Sequence, residues 1–349
     1  MKGRRGACAL ILLGLQACAG TQASPQVAPQ SVAFIAPVVL SEPSPVLAAA
    51  SPEPIATAVA LCDPQHPTAS PCMTLTPAIP RPGDLVMIEV LAPEANAAQI
   101  ELFGTRVELY RSGDTFRGFA AVPLKALPEA HHTLVTLEDD HGSSAFRCAE
   151  ADVAAREFPY EELKVARRFA RHRAVDASAV SGEEVSSLVK PLEAPMHSAS
   201  LFLWPKSGSV TAVFGESRLF NHKVASRHLG TDIRGKVGDR IFASQEGVVV
   251  FSSRHKASGE TIVIDHGGGL LTHYLHMSKR LLKVGEKVTQ GELIGLVGRT
   301  GRVTGPHLHF AVSVHGHYVD PEQVLAHPMY AGAQALPCSP ARTTSASAR

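Results

Sequence analysis

The chain has 349 residues, a formal net charge of +1 and only 5% aromatic residues. Near-neutral charge leaves no polyanion footprint, so no nucleic-acid partner is expected. At roughly 150 residues per domain the length allows two domains with tails. The 28 Gly and 25 Pro favour short strands joined by many turns.

The N-terminus reads MKGRRGACALILLGLQACAG, with Lys2, Arg4 and Arg5 preceding a short apolar run from Ala7 to Leu15. That run is too short for a membrane-spanning helix and reads as an export signal over residues 1–18. Its end, Leu15-Gln16-Ala17-Cys18, resembles a bacterial lipobox. The resemblance implies cleavage before Cys18 and lipidation of that thiol. An ordinary signal cut after Ala23 is the alternative. The expected location is the cell envelope, as an outer-membrane lipoprotein facing the periplasm, or as a soluble periplasmic or secreted protein. A lipid anchor would make the membrane a partner.

Residues 19–72 recur in Pro, Ala, Ser and Val, which suits neither helix nor central strand and reads as an extended linker. Residues 73–158 alternate apolar and polar positions, as in DLVMIEVLAP, with Val86, Ile88 and Val90 on one face. This pattern predicts an Ig-like β-sandwich of about seven strands. No catalytic cluster is visible in it, and adjacent His131 and His132 face opposite sides of a strand. Residues 159–200 mix charged and apolar residues at helical spacing and read as a short helical connector. Residues 201–322 return to Val, Ile and Leu runs between Gly-rich turns, which predicts a compact antiparallel β-barrel or sandwich. Residues 323–349 read as a disordered tail. The whole is a mostly β protein.

Four cysteines follow the signal: Cys62, Cys72, Cys148 and Cys338. In an oxidising compartment they can pair in three ways. Cys62 with Cys72 is the local choice, leaving Cys148 with Cys338. None has the C-x-x-C spacing of a thiolate metal site.

Most of the chemistry lies in histidines. In GPHLHFAV, His307 and His309 share one face of a strand, while Leu308, Phe310 and Val312 share the other. In SRHLGTDIRG, His228 sits on a loop and Asp232 enters a strand. Two imidazoles and one carboxylate make a catalytic zinc set with an open fourth position. In LLTHYLHMS, strand parity groups Thr272, Tyr274 and His276, which makes His276 the candidate base and His273 a flanking residue. His266 looks structural. His315 and His317 flank Gly316 at a hairpin tip and read as surface residues.

The order H-x-x-x-D, Y-x-H, G-P-H-x-H resembles the LytM/lysostaphin-type zinc endopeptidases that cut peptidoglycan peptides. The resemblance covers about residues 201–322, including TIVIDHGGG and KVGEKVTQGELIGLVGRTGRVTGPHLHF. It implies the family's duplicated hybrid fold, Zn²⁺ as cofactor and a peptidoglycan peptide as substrate. It further implies His228, Asp232 and His309 as metal ligands, His276 and His307 as the groups acting on water, and Tyr274 lining the site. Between the bonds known for the family, a D-Ala–diaminopimelate crosslink is preferred over a glycine bridge. The alternative is a non-catalytic envelope protein of the same fold that regulates other hydrolases. Phosphoryl carriage by paired histidines conflicts with export. A protein activator is conceivable, but no segment identifies one.

Overall fold

The computed structural model describes residues 71–163, 189, 191–192, 194–196, 201–220, 223–326 and 334–340. The export signal, Cys18, Cys62 and nearly all of the linker lie outside the described residues, as do residues 164–188 of the connector. No helix among the described residues is long and apolar enough to cross a membrane.

The first domain is built from β1 Cys72–Thr76, β2 Leu85–Leu91, β3 Ala97–Leu102, β4 Thr105–Ser112, β5 Thr115–Ala121, β6 Ala130–Asp139 and β7 Gly142–Asp152. Val86, Ile88 and Val90 of β2 turn inward with Ile100, Val107 and Phe116 to form its core. The same strand is apolar on its other face too. Leu85 and Met87, with Phe119 and Ala121 of β5, enter the core of the second domain beside Phe202, Leu270 and Val314. Alternation shows one buried face; this strand has two because a domain packs on its outside.

The connector contributes β8, Tyr160–Leu163, and irregular backbone at residues 194–196. Neither piece is helical; residues 164–188, the bulk of the expected helical connector, lie outside the described residues. Tyr160–Leu163 extends because a strand edge is available to it. β8 pairs in parallel with β10, Ser217–Phe220.

The second domain holds β9 Val210–Ala212, β10 Ser217–Phe220, β11 Lys223–Arg227, β12 Thr231–Arg234, β13 Arg240–Phe242, β14 Gly247–His255 and β15 Gly259–Asp265. It continues with β16 Leu270–Arg280, β17 Lys287–Val288, β18 Leu293–Val297, β19 His307–Val314, β20 His317–Val319 and α1 Pro321–Ala326. Its main sheet runs β17-β14-β15-β16-β19-β12-β9. Ile262, Ile264, Tyr274, Leu308, Phe310 and Val312 fill one side of it. The functional side chains lie on the other side.

A last strand, β21 Gln334–Pro340, pairs with both β1 and β7 and closes the first domain into a ring ordered β1-β2-β5-β4-β3-β6-β7-β21. The expected sandwich is thus a closed barrel: the strands and their alternation are as read, but a distant segment joins the two edges. The tail from residue 323, expected to be disordered, carries the rest of α1 and this strand. QALPCSP has little strand pattern of its own, and the open edges supply the order. Cys72 and Cys148 are both disulfide-bonded, and the register sets Cys338 opposite Cys148.

Arg156 joins the two domains. It donates to Asp84 Oδ1 at 3.3 Å and pairs with Asp320 next to α1. Burial pushes the Asp84 carboxyl up despite the nearby Arg81 and Arg156.

Candidate metal centre

β12 and β19 are antiparallel neighbours, and their register places Asp232 directly opposite His309 and Arg234 opposite His307. Opposed residues share a face. Leu308 and Phe310 therefore go to the core, each fully buried, while His307, His309 and Asp232 converge on the other side. His228 reaches the same point from the turn between β11 and β12. Its backbone is fixed by hydrogen bonds in both directions, from His228 N to Glu216 O and from Gly215 N to His228 O, each 2.8 Å.

Three ligand-type atoms meet there. His309 Nδ1 lies 2.9 Å from Asp232 Oδ1, His228 Nε2 lies 3.1 Å from the same oxygen, and the two nitrogens are 3.1 Å apart. Bonds of 2.0–2.1 Å in a tetrahedron put ligand atoms about 3.3 Å apart, so the spacing fits one small cation. The tautomer fits as well. His228 Nδ1 donates to the Val213 carbonyl at 2.9 Å, which leaves Nε2 with its lone pair toward the cluster. No other group of this kind occurs among the described residues. The donor set, two imidazoles and one carboxylate, suits zinc among the common ions.

The electrostatics are those of a mutually satisfied cluster. Burial works against the Asp232 carboxylate, yet His228 and His309, whose cluster-facing nitrogens donate to it when they carry a proton in place of a metal, outweigh burial and hold the group far below the usual carboxylate range. The two imidazoles respond in opposite senses. For the partly open His228, burial is outweighed by the bond and charge of Asp232, and its pKa rises. For the nearly enclosed His309, burial prevails and its pKa falls.

His276 and His307 flank the triad. Their ring centroids are 5.1 Å apart, and His276 lies 6.0 Å from His309. His307 Nδ1 donates to Gly305 O at 2.9 Å and His276 Nδ1 to Thr300 O at 3.0 Å. Each ring therefore offers a free Nε2. His307 Nε2 stands 3.6 Å from Asp232 Oδ1. Burial, then the charges of His309 and His307, push the His276 imidazole down to about 3, so it is neutral at ordinary pH.

All five expected residues, His228, Asp232, His276, His307 and His309, come together. Tyr274 does not join them. It is fully buried, opposite Phe310 in the core, and its hydroxyl accepts from Ser244 N at 2.9 Å. The expectation that it lines the site came from the resemblance, and the strand parity that grouped it with His276 fails here. His276 has φ +62, which turns it off the core face that regular alternation would give it. His266 is structural, as read. Its two nitrogens bond Glu246 O at 2.6 Å and Thr272 Oγ1 at 2.8 Å, deep in the core. His317 is exposed, but His315 is half-buried, because the hairpin tip folds onto Gly269, whose carbonyl accepts the His315 amide at 3.1 Å. Sequence reasoning missed the carbonyls of Val213, Gly305 and Thr300, which set the three tautomers. Backbone acceptors leave no residue-type signal.

Residues 226–321 match Peptidase family M23. The chain is 45% identical over 114 residues to peptidoglycan DD-endopeptidase ShyA of Vibrio cholerae serotype O1, and 43% identical over 118 residues to ShyC of the same organism. These matches cover 32% and 33% of this chain but only 26% and 27% of the relatives, so the chain spans about a quarter of their length. Among solved structures, the catalytic domain of lysostaphin from Staphylococcus simulans is 29% identical, covering 34% of this chain and 93% of that one, with a TM-score of 0.32.

Proposed function

We propose that this chain, which carries a Peptidase family M23 domain over residues 226–321, is a zinc-dependent endopeptidase that cleaves peptide crosslinks of bacterial peptidoglycan. The convergence of His228 Nε2, Asp232 Oδ1 and His309 Nδ1 within 2.9–3.1 Å of one another carries the reading. A zinc ion held by these three atoms supplies a Lewis acid that polarises a carbonyl and makes water acidic enough to attack it. The remaining chemistry belongs to the chain. Neutral His276, with Nδ1 bonded to Thr300 O, presents Nε2 to take a proton from the attacking water. The proton that His276 takes passes on to the leaving amine, and His307, with Nδ1 bonded to Gly305 O, steadies the oxyanion through an Nε2–H when its ring is protonated.

The curated relatives are named DD-endopeptidases, which favours the D-Ala–diaminopimelate crosslink. The Leu15-Gln16-Ala17-Cys18 stretch favours an envelope lipoprotein. Cys18→Ser should abolish acyl labelling, and equal labelling of both forms would remove the anchor from the proposal.

The catalytic test uses purified sacculi and elemental analysis. Alanine at His228, Asp232 or His309 should lose both metal and activity. Alanine at His276 or His307 should retain metal and lose about 10²–10⁴-fold in rate. A metal-loaded wild type that releases no crosslinked peptide from sacculi would favour the regulator over the enzyme.

A further inference from the structure

His276 sits where β16 changes partners. Up to Leu275 the strand pairs with β19, and from Met277 it pairs with β18. At the junction the backbone takes φ +62, a conformation rare for a residue with a side chain and kept only where the surroundings enforce it. Several contacts enforce it here. The His276 amide donates to Ser258 O at 2.9 Å. Gly298 lies against the kinked backbone, where a Cβ would stand 2.2 Å from Ser278 N and 2.6 Å from His276 O.

Thr300 completes the cradle from three sides. Its hydroxyl accepts the Glu260 amide at 2.9 Å and donates to the Met277 carbonyl at 2.7 Å. It thereby ties the loop after β18 to both β15 and β16. Its carbonyl accepts the Nδ1 proton of His276 at 3.0 Å. Gly259 makes room for it, since a Cβ there would lie 2.3 Å from Thr300 Oγ1 and 2.5 Å from Thr300 O. The sequence offers no hint of this role in GRTGRVTG.

We propose that Thr300 is the positioning residue for His276: its hydroxyl pins the loop so that its carbonyl holds the imidazole in the Nδ1–H tautomer with Nε2 toward the triad. The catalytic consequence rests on the reading of His276 given under Proposed function; the positioning itself does not.

The test uses the full chain with ¹⁵N-labelled histidine, loaded with zinc. Thr300→Val keeps the shape and removes the hydroxyl, and Thr300→Ser restores it. In the wild type, imidazole ¹⁵N shifts should report a proton on Nδ1 of His276. In Thr300→Val that signal should become a mixture of tautomers, and kcat on a crosslinked muropeptide should fall about 10- to 100-fold, as expected for a misplaced catalytic group. KM should stay within about two-fold, since no substrate contact is invoked. Metal content should not change, since no ligand is touched. Thr300→Ser should recover the wild-type tautomer and most of the rate. A Thr300→Val protein that is folded by thermal melting and keeps a pure Nδ1–H signal overturns the proposal, whatever its rate. A loss of rate that Ser does not rescue also overturns it. If His276→Ala retains wild-type kcat while the tautomer still follows Thr300, positioning stands and the assignment of His276 to the reaction fails.

Discussion

Among the buried imidazoles, His273 shows how burial alone couples this fold to acidity. It lies outside the metal cluster, one position before Tyr274, with Nε2 bonded to Ser313 Oγ at 2.8 Å. Burial, then the charges of His309 and His266, push it from an ordinary 6.5 down to about 3. Between those values the unfolded chain takes up a proton that the folded chain refuses. Its contribution to stability is therefore intact above about 6.5 and lost progressively as pH falls toward 3. Going from pH 7 to 4.5 this one group should remove about 2–3 kcal/mol. Urea unfolding of wild type and His273→Phe at both pH values checks this, and the variant should lose less on acidification. Equal losses would refute it. At this scale much of the site was legible. Alternation put His307 and His309 on one face, and the register confirms it by setting Asp232 across from His309. His276 was chosen by counting from Tyr274, and that count is broken by the kink at φ +62. His276 nonetheless stands beside the cluster, because a backbone conformation, invisible in residue types, reversed the face that the count would give it.

At the scale of elements, the arm leading to His228 depends on the connector. β8 runs parallel along β10, and the Phe158 ring lies over Gly215, where a Cβ would come within 2.0 Å of it. Arg156 and Arg227 stack against the same ring at 4.8 and 5.3 Å, contacts worth about 0.5–2 kcal/mol each. Gly215 in turn bonds His228, so the aromatic clamp is one hydrogen bond from the His-Asp-His cluster. Consider two fragments ending at residue 330, one starting at 155 and one at 195. The longer should melt higher, by about 4–8 °C for each kcal/mol the clamp and edge supply. Differential scanning calorimetry decides it, and equal melting temperatures would show that the connector lends the hairpin nothing. FPYEEL carries no alternation to announce a strand. It extends because β10 offers an edge, and β21 extends because β1 and β7 do. Segments ordered by a partner's hydrogen bonds rather than their own pattern are the ones that sequence reading placed wrongly. β2, by contrast, was legible on its barrel face and silent about its second one.

For the whole molecule, the joint between the two domains is apolar at its centre and ionic at its edge. Leu85, Met87 and Phe119 share a core with the second domain, and Arg156 stands between Asp84 and Asp320, whose side chains are 3% and 10% exposed. Arg156→Met would leave Asp84 and Asp320 without the cation between them, with only the more exposed Arg81 still 3.8 Å from Asp84. Breaking such a pair costs about 3–5 kcal/mol, and a fall in the urea midpoint at unchanged slope would report it. A change below 0.5 kcal/mol would place the strength of the joint in its apolar centre alone. The strand that closes the barrel has a consequence of another kind, in the order of assembly. β1 pairs with residues some 265 positions later in the chain, as Cys72 does with Pro337. A chain emerging from its N-terminus makes β1 to β7 first, yet the ring cannot shut until the second domain has been made and β21 has appeared. The first domain synthesised is thus the last completed. Until then β1 and β7 are open edges, able to pair with whatever strand is nearby, and the distance of the contact slows their closure. The sheet that carries the His-Asp-His cluster has a head start, since its long-range pair, β12 with β19, lies 79 positions apart in the chain, as Thr231 does from Phe310, against 265 for the pair that closes the barrel, Cys72 with Pro337.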